Sequence, residues 1–457
     1  MADEVGRAAA DGLTVRMVGT GHSFTPAAVS DGVLLRPGGL TGIRSVDAAA
    51  GLVTAEAGCP LWALNAALAS RGLSLVNMGD IQVQTVAGAI QTGTHGTGRD
   101  SGGMAAQVAG LELVLADGSI TTYSAGPPPD STPAGASRPA TSPSAGPAPA
   151  SPSSAGPSSA GPSSAGPSST GTAPGAGRRR ADVFDAARVG LGALGIVTAV
   201  TFRVVPAFLL AAREEPMRWS EVISRLDELT SQNDHFEFYW FPHTEDCLTK
   251  RNNVSPGPPR ALSRMRYLLD DEILSNAVFG ATCWLGHAVP GVIRTVNSVA
   301  ARALGSRTYT DAAWRVFTSP RRVRFTEQEY AIPRESAPYV LAEIRSLFAR
   351  RDWRISFPVE VRFTPGDDPW LSTAYGRDTA YIAVHVFHPS ANQEYFRDVE
   401  AVMTAAAGRP HWGKMHTRSA DYLRSAYPMF GEFVALRDEL DPQRRFGNAY
   451  LTQVLGP

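Results

Sequence analysis

Between Ser124 and Asp182 the chain has no Leu, Ile, Val, Met or aromatic residue, and SSAGP repeats in tandem at 153–157, 158–162 and 163–167. Such a stretch offers too little apolar surface to offset the entropy lost on ordering, so it predicts a disordered insertion over 125–180. The insertion closes on Arg178, Arg179 and Arg180, which read as a solvated junction rather than an interaction patch. Loop closure grows costlier only slowly with length, so the elements on either side can still belong to one domain.

Those flanking elements are short and strand-like. LTVRMV (13–18), GVLLR (32–36), LVTAEAG (52–58) and LELVLADGSITTYS (111–124) read as strands, the last as a hairpin about Asp117-Gly118. Pro60 to Ser70 reads as a helix closed by Gly72. After the insertion DVFDAARV reads as helix, GLGALG as turn and IVTAVTFRVV as a strand of the same domain. Beyond Pro206 helices and strands alternate: WSEVISRLDELTSQ, FEFYWFP, YVLAEIRSLFARR, FPVEVRFTP, TAYIAVHVF and FRDVEAVMTAAAG. The pattern predicts an α+β second domain of amphipathic helices on an antiparallel sheet.

Composition excludes some classes of function. With 42 basic against 43 acidic side chains in 457 residues, no global field attracts nucleic acid or an acidic surface. Cys59, Cys247 and Cys283 form no CxxC or haem-attachment pattern and fit a reducing compartment, so a cytoplasmic protein is expected. The start MADEVGRAAADG lacks the order of a signal peptide, and no stretch approaches the ~18 apolar residues of a membrane span.

Two motif matches fail on context. Gly190-Leu-Gly192-Ala-Leu-Gly195 satisfies G-x-G-x-x-G, but a helix precedes it and a strand follows, the reverse of a dinucleotide fold. Gly408 to Lys414 satisfies G-x-x-x-x-G-K, but Met415 stands where a magnesium-binding hydroxyl is needed. There is no H-E-x-x-H, G-x-S-x-G or zinc-type cysteine spacing, and no metal is expected. More informative is Val15-Arg-Met-Val-Gly19-Thr20-Gly21-His22-Ser23-Phe24, a strand ending in a glycine-bracketed turn whose amides suit a pyrophosphate, with a histidine at its tip. A second run, Gly79-Asp80, Thr85-Val-Ala-Gly88 and Thr92-Gly93-Thr94-His95-Gly96-Thr97-Gly98, is far denser in glycine and hydroxyl than a hairpin requires. Together they suggest a ligand with a long diphosphate and a ring system.

The GTGHSF turn, the GDIQVQTVAGAIQTGTHGTG run, VEVR (359–362) and HWGK (411–414) resemble the FAD-dependent oxidoreductases of the vanillyl-alcohol oxidase superfamily. YWFPHTEDCLTKRNN (239–253) and FTSPRRVRFTEQEYAIPRE (317–335) resemble its sugar-1,4-lactone oxidases and dehydrogenases, of gulonolactone and arabinonolactone type, with alditol oxidases next. The resemblance implies a PCMH-type FAD-binding domain over 1–206, interrupted at 125–180. It also implies an α+β cap (substrate) domain over 207–457, with a large antiparallel sheet and a C-terminal segment that returns to the flavin. It implies that Met17, Val18, Gly19, Thr20, Gly21, His22 and Ser23 form the first FAD loop, with His22 at the position that carries flavin covalently in many members. Asp80, Thr85, Gly88, Thr92, Gly93, Thr94 and His95 would line pyrophosphate and isoalloxazine, Ile196 would contact FAD, and His411 would approach the ring. Glu360, Arg362 and Lys414 match the substrate-facing set, and His385 is a weaker match. Members usually carry a few dozen residues ahead of the equivalent of MADEVGRAAADG, so either the start codon is misassigned or the FAD domain lacks an edge element.

The residue types suit this chemistry independently. Glu360 and Arg362 stand two apart in a strand-like run and leave the same face, where a salt bridge is the simplest arrangement. Oxidation of a secondary alcohol removes a hydride and a hydroxyl proton, so Lys414 or Arg362 would stabilise the developing alkoxide and Glu360 would anchor a neighbouring hydroxyl. The expected substrate is a sugar lactone or polyol, with O2 or another electron acceptor completing the cycle. Membrane association at a surface, alditol oxidation, and a truncated silent relative serving as a scaffold are the alternatives left open.

Overall fold

The computed structural model describes residues 1–125, 175–302, 305–319, 321–390 and 392–457. The expected disorder of the insertion lies outside the described residues over 126–174. At its far end the expectation is corrected: a helix, Gly175–Ala187, already contains the arginine triplet. Arg180 is docked rather than merely solvated, donating to the Thr122 carbonyl at 2.6 Å with its guanidinium 5.3 Å from the Tyr123 ring centroid.

Two antiparallel sheets organise the chain. The smaller has five strands in the order Ile43–Asp47, Leu52–Glu56, Ile196–Arg203, Val108–Val114, Ile120–Ser124. Ile196–Arg203, which follows the insertion, pairs with both Leu52–Glu56 and Val108–Val114, which precede it, so the insertion interrupts one sheet. Valine, threonine and isoleucine dominate these strands because branched side chains pack well on a pleated surface. Helices Leu61–Ala69, Val86–Gln91 and Gly175–Ala187 contribute to the core built on this sheet. Ahead of it, helix Ala2–Ala10 buries Val5 and Ala8 beside Val15, Val114 and Ile196. Strand Val15–Met17 pairs in parallel with Val33–Leu35 as a separate two-stranded sheet, near which Leu13, Val29 and Leu34 are exposed.

The larger sheet has eight strands in the order Arg307–Ala312, Leu209–Arg218, Asp246–Ser255, His235–Trp240, Val359–Thr364, Thr379–Phe387, Phe325–Pro333, Arg409–Pro410. Period-two alternation gives it two unlike faces. Phe236, Phe238, Trp240, Val359, Val361, Ile382 and Val384 pack into one core with helices Ala337–Arg351 and Gln393–Ala405. The intervening residues, Glu237, Tyr239, Glu360, Arg362, Tyr381 and His385, are polar and also buried, because that face looks toward the FAD-loop half of the chain.

The C-terminal helices Ala420–Ala426, Phe430–Leu440 and Ala449–Leu455 leave the large sheet and pack into the first core through Leu423, Tyr427, Phe430, Phe433 and Leu451. Trp412 is the hinge of that return. It is fully buried, donates Nε1 to the Leu371 carbonyl at 2.7 Å and stacks on Tyr427 with centroids 4.9 Å apart. Its own carbonyl receives Thr25 Oγ1 at 2.9 Å, and the Phe24 amide donates to the Gly413 carbonyl at 2.8 Å, so the HWGK turn is stitched to the GTGHSF turn. Replacing Trp412 by Ala is expected to lower unfolding free energy by about 3–5 kcal/mol. Trp412→Phe is expected to cost less, chiefly the ~1 kcal/mol of its hydrogen bond. Urea denaturation of the two variants checks the difference, and equal losses would show that the ring does not anchor the return.

Candidate active site

The first FAD loop emerges from strand Val15–Met17 and turns at Gly21, whose φ of +73° lies in the left-handed region. It rests against the second run. Thr85 caps helix Val86–Gln91, accepting from the Gly88 amide at 3.2 Å, and a Cβ placed on Gly19 would lie 2.3 Å from Thr85 Oγ1. Glycine at 19 is therefore what allows the two loops to touch. Between them runs a groove of about 370 Å³ lined by Met17 to Ser23, Thr85, Gly88, Thr92 and Ile196. The dismissed Gly190–Gly195 turn also borders it, through Gly192 and Gly195.

Arg16 lies in the wall of this groove, 3 % exposed. Its guanidinium donates to four carbonyls, Gly192 at 2.9 Å, Phe446 and Leu191 at 2.6 Å and Ala27 at 2.5 Å, with no carboxylate partner among the described residues. Burial pushes its pKa down only to about 10, so it stays a cation at neutral pH. A glycine-walled groove beside a buried cation with no anion of its own fits a diphosphate-bearing cofactor, as FAD requires.

A second cavity of about 1400 Å³ shares Gly21, His22 and Ser23 with the groove, so the two adjoin at this turn. Beneath it lies the polar face of the large sheet. Lys250 lies 3.2 Å from Glu237, Arg321 pairs with Asp80, Arg362 NH2 lies 2.5 Å from Glu360 Oε1, and Lys414 pairs with Glu327. Tyr239 donates to Glu360 Oε1 at 2.7 Å and to Glu237 Oε1 at 3.1 Å. His385 Nε2 stands 3.5 Å from Glu327 Oε1 and 3.9 Å from Glu360 Oε2. Burial opposes ionisation of Glu360 and Glu327, but the facing cations outweigh it: Arg362 and Arg321 hold Glu360 at about 2, and Lys414 holds Glu327 at about 2. Burial pulls Lys250 down, yet Glu237, Glu214 and Asp80 more than reverse it.

The positions expected from sequence divide into three groups. Met17 to Ser23, Thr85, Gly88, Thr92 and Ile196 line the groove together. Asp80 does not join them: it lines the second cavity, where its carboxylate takes Arg321 and, at 3.1 Å, Arg362. The cause is the Ser319 amide, which donates to the Asp80 carbonyl at 3.0 Å and draws residue 80 toward the 313–325 segment. Gly93, Thr94, His95 and His411 line neither cavity. His95 and His411 are buried around Glu329, with His95 Nε2 3.3 Å from Glu329 Oε1 and its ring stacked at 3.5 Å on Tyr381. Burial pushes His411 down to about 3, against the pull of Glu329, so it is neutral. Glu360 and Arg362 share one face as expected, but lie one layer below the cavity wall, behind Asp80 and Arg321.

Glu237, Tyr239, Lys250, Arg321, Glu327 and Glu329 were not singled out from sequence. Four of them carried a signal of alternation: E-F-Y at 237–239 and E-Q-E at 327–329 place polar side chains on every second residue of a strand.

Residues 200–454 match the family described as D-arabinono-1,4-lactone oxidase, and residues 1–124 match the family described as FAD binding domain. An L-gulono-1,4-lactone dehydrogenase of Mycobacterium tuberculosis is 39% identical over all of this chain and 94% of its own length. The L-gulonolactone oxidase of Bos taurus is 30% identical over 96% of this chain and 89% of its own. An alditol oxidase of Streptomyces is 29% identical over 95% and 89%. Among solved structures, cholesterol oxidase from Brevibacterium sterolicum superposes with a TM-score of 0.73 at 18% identity, covering 100% of this chain and 92% of that one, which shows a shared fold. The chain therefore belongs to the D-arabinono-1,4-lactone oxidase family and is an FAD-dependent oxidoreductase with a PCMH-type FAD-binding fold.

Proposed function

We propose that the protein oxidises a sugar-1,4-lactone at the alcohol carbon beside the carbonyl, giving a 2-keto lactone that enolises to an enediol. The observation that carries this reading is the charge balance of the cavity floor. Lys250, Arg321, Arg362 and Lys414 are matched one for one by Glu237, Asp80, Glu360 and Glu327. A neutral, hydroxyl-rich molecule can exchange hydrogen bonds with this sheet face without separating either member of a pair. The relatives named for lactones agree, and the relative named for alditols supplies the second reading, another neutral polyol.

FAD, when bound, accepts the hydride, and O2 or another acceptor completes the cycle. The protein's part is to place the substrate and remove one proton. Asp80 and Arg321, which line the cavity, hold substrate hydroxyls. Glu360 and Arg362 lie beneath and fix their orientation. Lys414, with its side chain 24% exposed, stabilises the alkoxide as the hydroxyl proton passes to solvent water. His22 stands where groove and cavity meet, and burial together with the charge of Lys414 holds its imidazole low, in the neutral form whose lone pair can bond carbon. The proposal therefore includes covalent attachment of the flavin at His22.

For the cell, no helix among the described residues is long and apolar enough to cross a membrane, and the three cysteines are free and buried. A cytoplasmic protein that docks on a bilayer surface is the reading supported by the 264–302 excursion. Met265, Leu268, Leu274, Trp284, Leu285 and Val289 are exposed there, with the exposed Arg264 in the same segment to meet anionic headgroups.

Acid precipitation of the purified protein is expected to leave flavin absorbance in the pellet, and His22→Ala to move it to the supernatant. Flavin that stays with the His22→Ala pellet would refute the attachment site. Under anaerobic conditions aldonolactones are expected to bleach the flavin faster than alditols, and Glu360→Gln to lose roughly 10²-fold or more in that rate with flavin still bound. Faster bleaching by alditols would favour the second reading, and a fully active Glu360→Gln would remove Glu360 from the site. Sedimentation with vesicles of phosphatidylglycerol is expected to carry the protein down, and Trp284→Asp with Leu285→Asp to leave it in solution. An unchanged supernatant in both cases would rule out the bilayer surface.

A further inference from the structure

Glu327 has no role in the scheme above, yet it touches Lys414, which has one, and His385. It sits on strand Phe325–Pro333, directly opposite His385 in the register with Thr379–Phe387. Its backbone carbonyl accepts from the Met415 amide at 2.9 Å, which brings the HWGK turn alongside this strand. Its two carboxylate oxygens are divided: Oε2 takes the Lys414 ammonium, and Oε1 faces His385 Nε2 at 3.5 Å. His385 is held from its other side by the Pro358 carbonyl, 3.3 Å from Nδ1. The Glu327 side chain is 5% exposed, and it is the one carboxylate in salt-bridge range of Lys414 among the described residues.

The remaining neighbours of Lys414 do not favour its charge as strongly. The Phe24 ring centroid lies 5.5 Å from Nζ. His22, on the adjoining loop, and His411, on the same turn, feel the lysine as a repulsive charge. Glu329, two residues along the strand, is committed to His95, and Glu360 to Arg362. Without Glu327 the ammonium would be left partly desolvated among rings and imidazoles, a setting that disfavours the charged form.

We propose that Glu327 is a positioning residue: one carboxylate that holds the Lys414 ammonium beside the GTGHSF turn, while its second oxygen fixes His385. The inference rests on Lys414 as the cation that stabilises the alkoxide. Lys414 then has two N–H donors left for the substrate, and the carboxylate itself never meets the reacting carbon. Because Glu327 is ionised far below neutral pH, its own titration does not enter the working range, and its effect appears through Lys414.

The test is the pH dependence of anaerobic flavin reduction by L-gulono-1,4-lactone, measured on flavin-loaded protein. Glu327→Gln keeps the shape and removes the charge, so the ammonium should be lost at lower pH. The alkaline limb of kcat/KM is expected to move down by about one pH unit or more, giving a roughly tenfold deficit on the alkaline side and a smaller one on the acid side. KM is expected to change less than kcat. Glu327→Asp, which keeps the charge on a shorter arm, is expected to retain the position of the limb with a lower kcat. A purely structural role would lower flavin content or thermal stability and leave the limb where it is. Glu327→Gln with the parental limb, alongside a Lys414→Met that has lost turnover, overturns the inference and leaves the role of Lys414 standing. A fully active Lys414→Met overturns the underlying reading instead. If Glu327→Gln does not load flavin, Glu327→Asp decides: a displaced limb in that variant overturns the inference.

Discussion

The molecule depends on burying a charged sheet face without leaving any charge alone. Reading across the eight-stranded sheet at one level, register places Arg307 opposite Glu214, Glu214 opposite Lys250, Lys250 opposite Glu237 and Glu237 opposite Arg362. Sign alternates across these five strands, and the row ends where Arg362 faces Tyr381. Breaking one buried pair by removing one member leaves an uncompensated charge, at a typical cost of about 3–5 kcal/mol, so the row behaves as a unit. It also specifies register, because a slip of one residue would turn Glu237, Lys250 and Arg362 into the apolar core and Phe236 and Val361 out of it. The price of this arrangement is that it contributes little net stability, which comes from the opposite face, where Phe238, Trp240, Val359 and Ile382 pack against two amphipathic helices.

The second constraint is chain return. The FAD-loop half is completed by residues that lie far along the sequence: Asn448 Nδ2 donates to the Pro26, Ala27 and Val29 carbonyls, and Arg445 reaches the Ala8 carbonyl. Arg16 in turn takes the Phe446 carbonyl. The GTGHSF loop is therefore held from outside by the last turns of the chain, and the same return carries Trp412 and Lys414 to that loop. Folding of the cofactor groove and delivery of the substrate-side lysine are one event, since both depend on the segment from 409 to 448.

How much of this could be read beforehand follows from the range of the interactions. Glycine density announced both loops, and period two announced that Glu360 and Arg362 share a face, since each depends on neighbours a few residues away. The strand Leu209–Arg218 was not announced. LLAAREEPMR carries four charges and a proline, and it is a strand because its charges find partners on Asp246–Ser255 and Arg307–Ala312. Pro216 is tolerated because pairing with Arg307–Ala312 stops at Glu214, leaving one side of the strand free there. Asp80 shows the same limit inside the site. Local pattern put it with the glycine run, but the groups that decide its place, Ser319, Arg321 and Arg362, lie more than 200 residues away.

Two electrostatic regimes meet at His22. On the groove side Arg16 is a buried cation surrounded only by carbonyl dipoles, an arrangement that is costly alone and relieved by an anion lying along the glycine loop. On the cavity side the sheet-face cations Lys250 and Arg321 already have their carboxylates, so hydroxyl groups can bond there without separating an ion pair. The two adjoining cavities can thus hold a diphosphate in one and a neutral polyol in the other. The boundary is set by the three residues, Gly21, His22 and Ser23, that both cavities share. The same separation explains why a lysine can stand near the junction without drawing anions into the cavity: Glu327 cancels its charge at long range while leaving its N–H groups available at short range, where a developing alkoxide would need them.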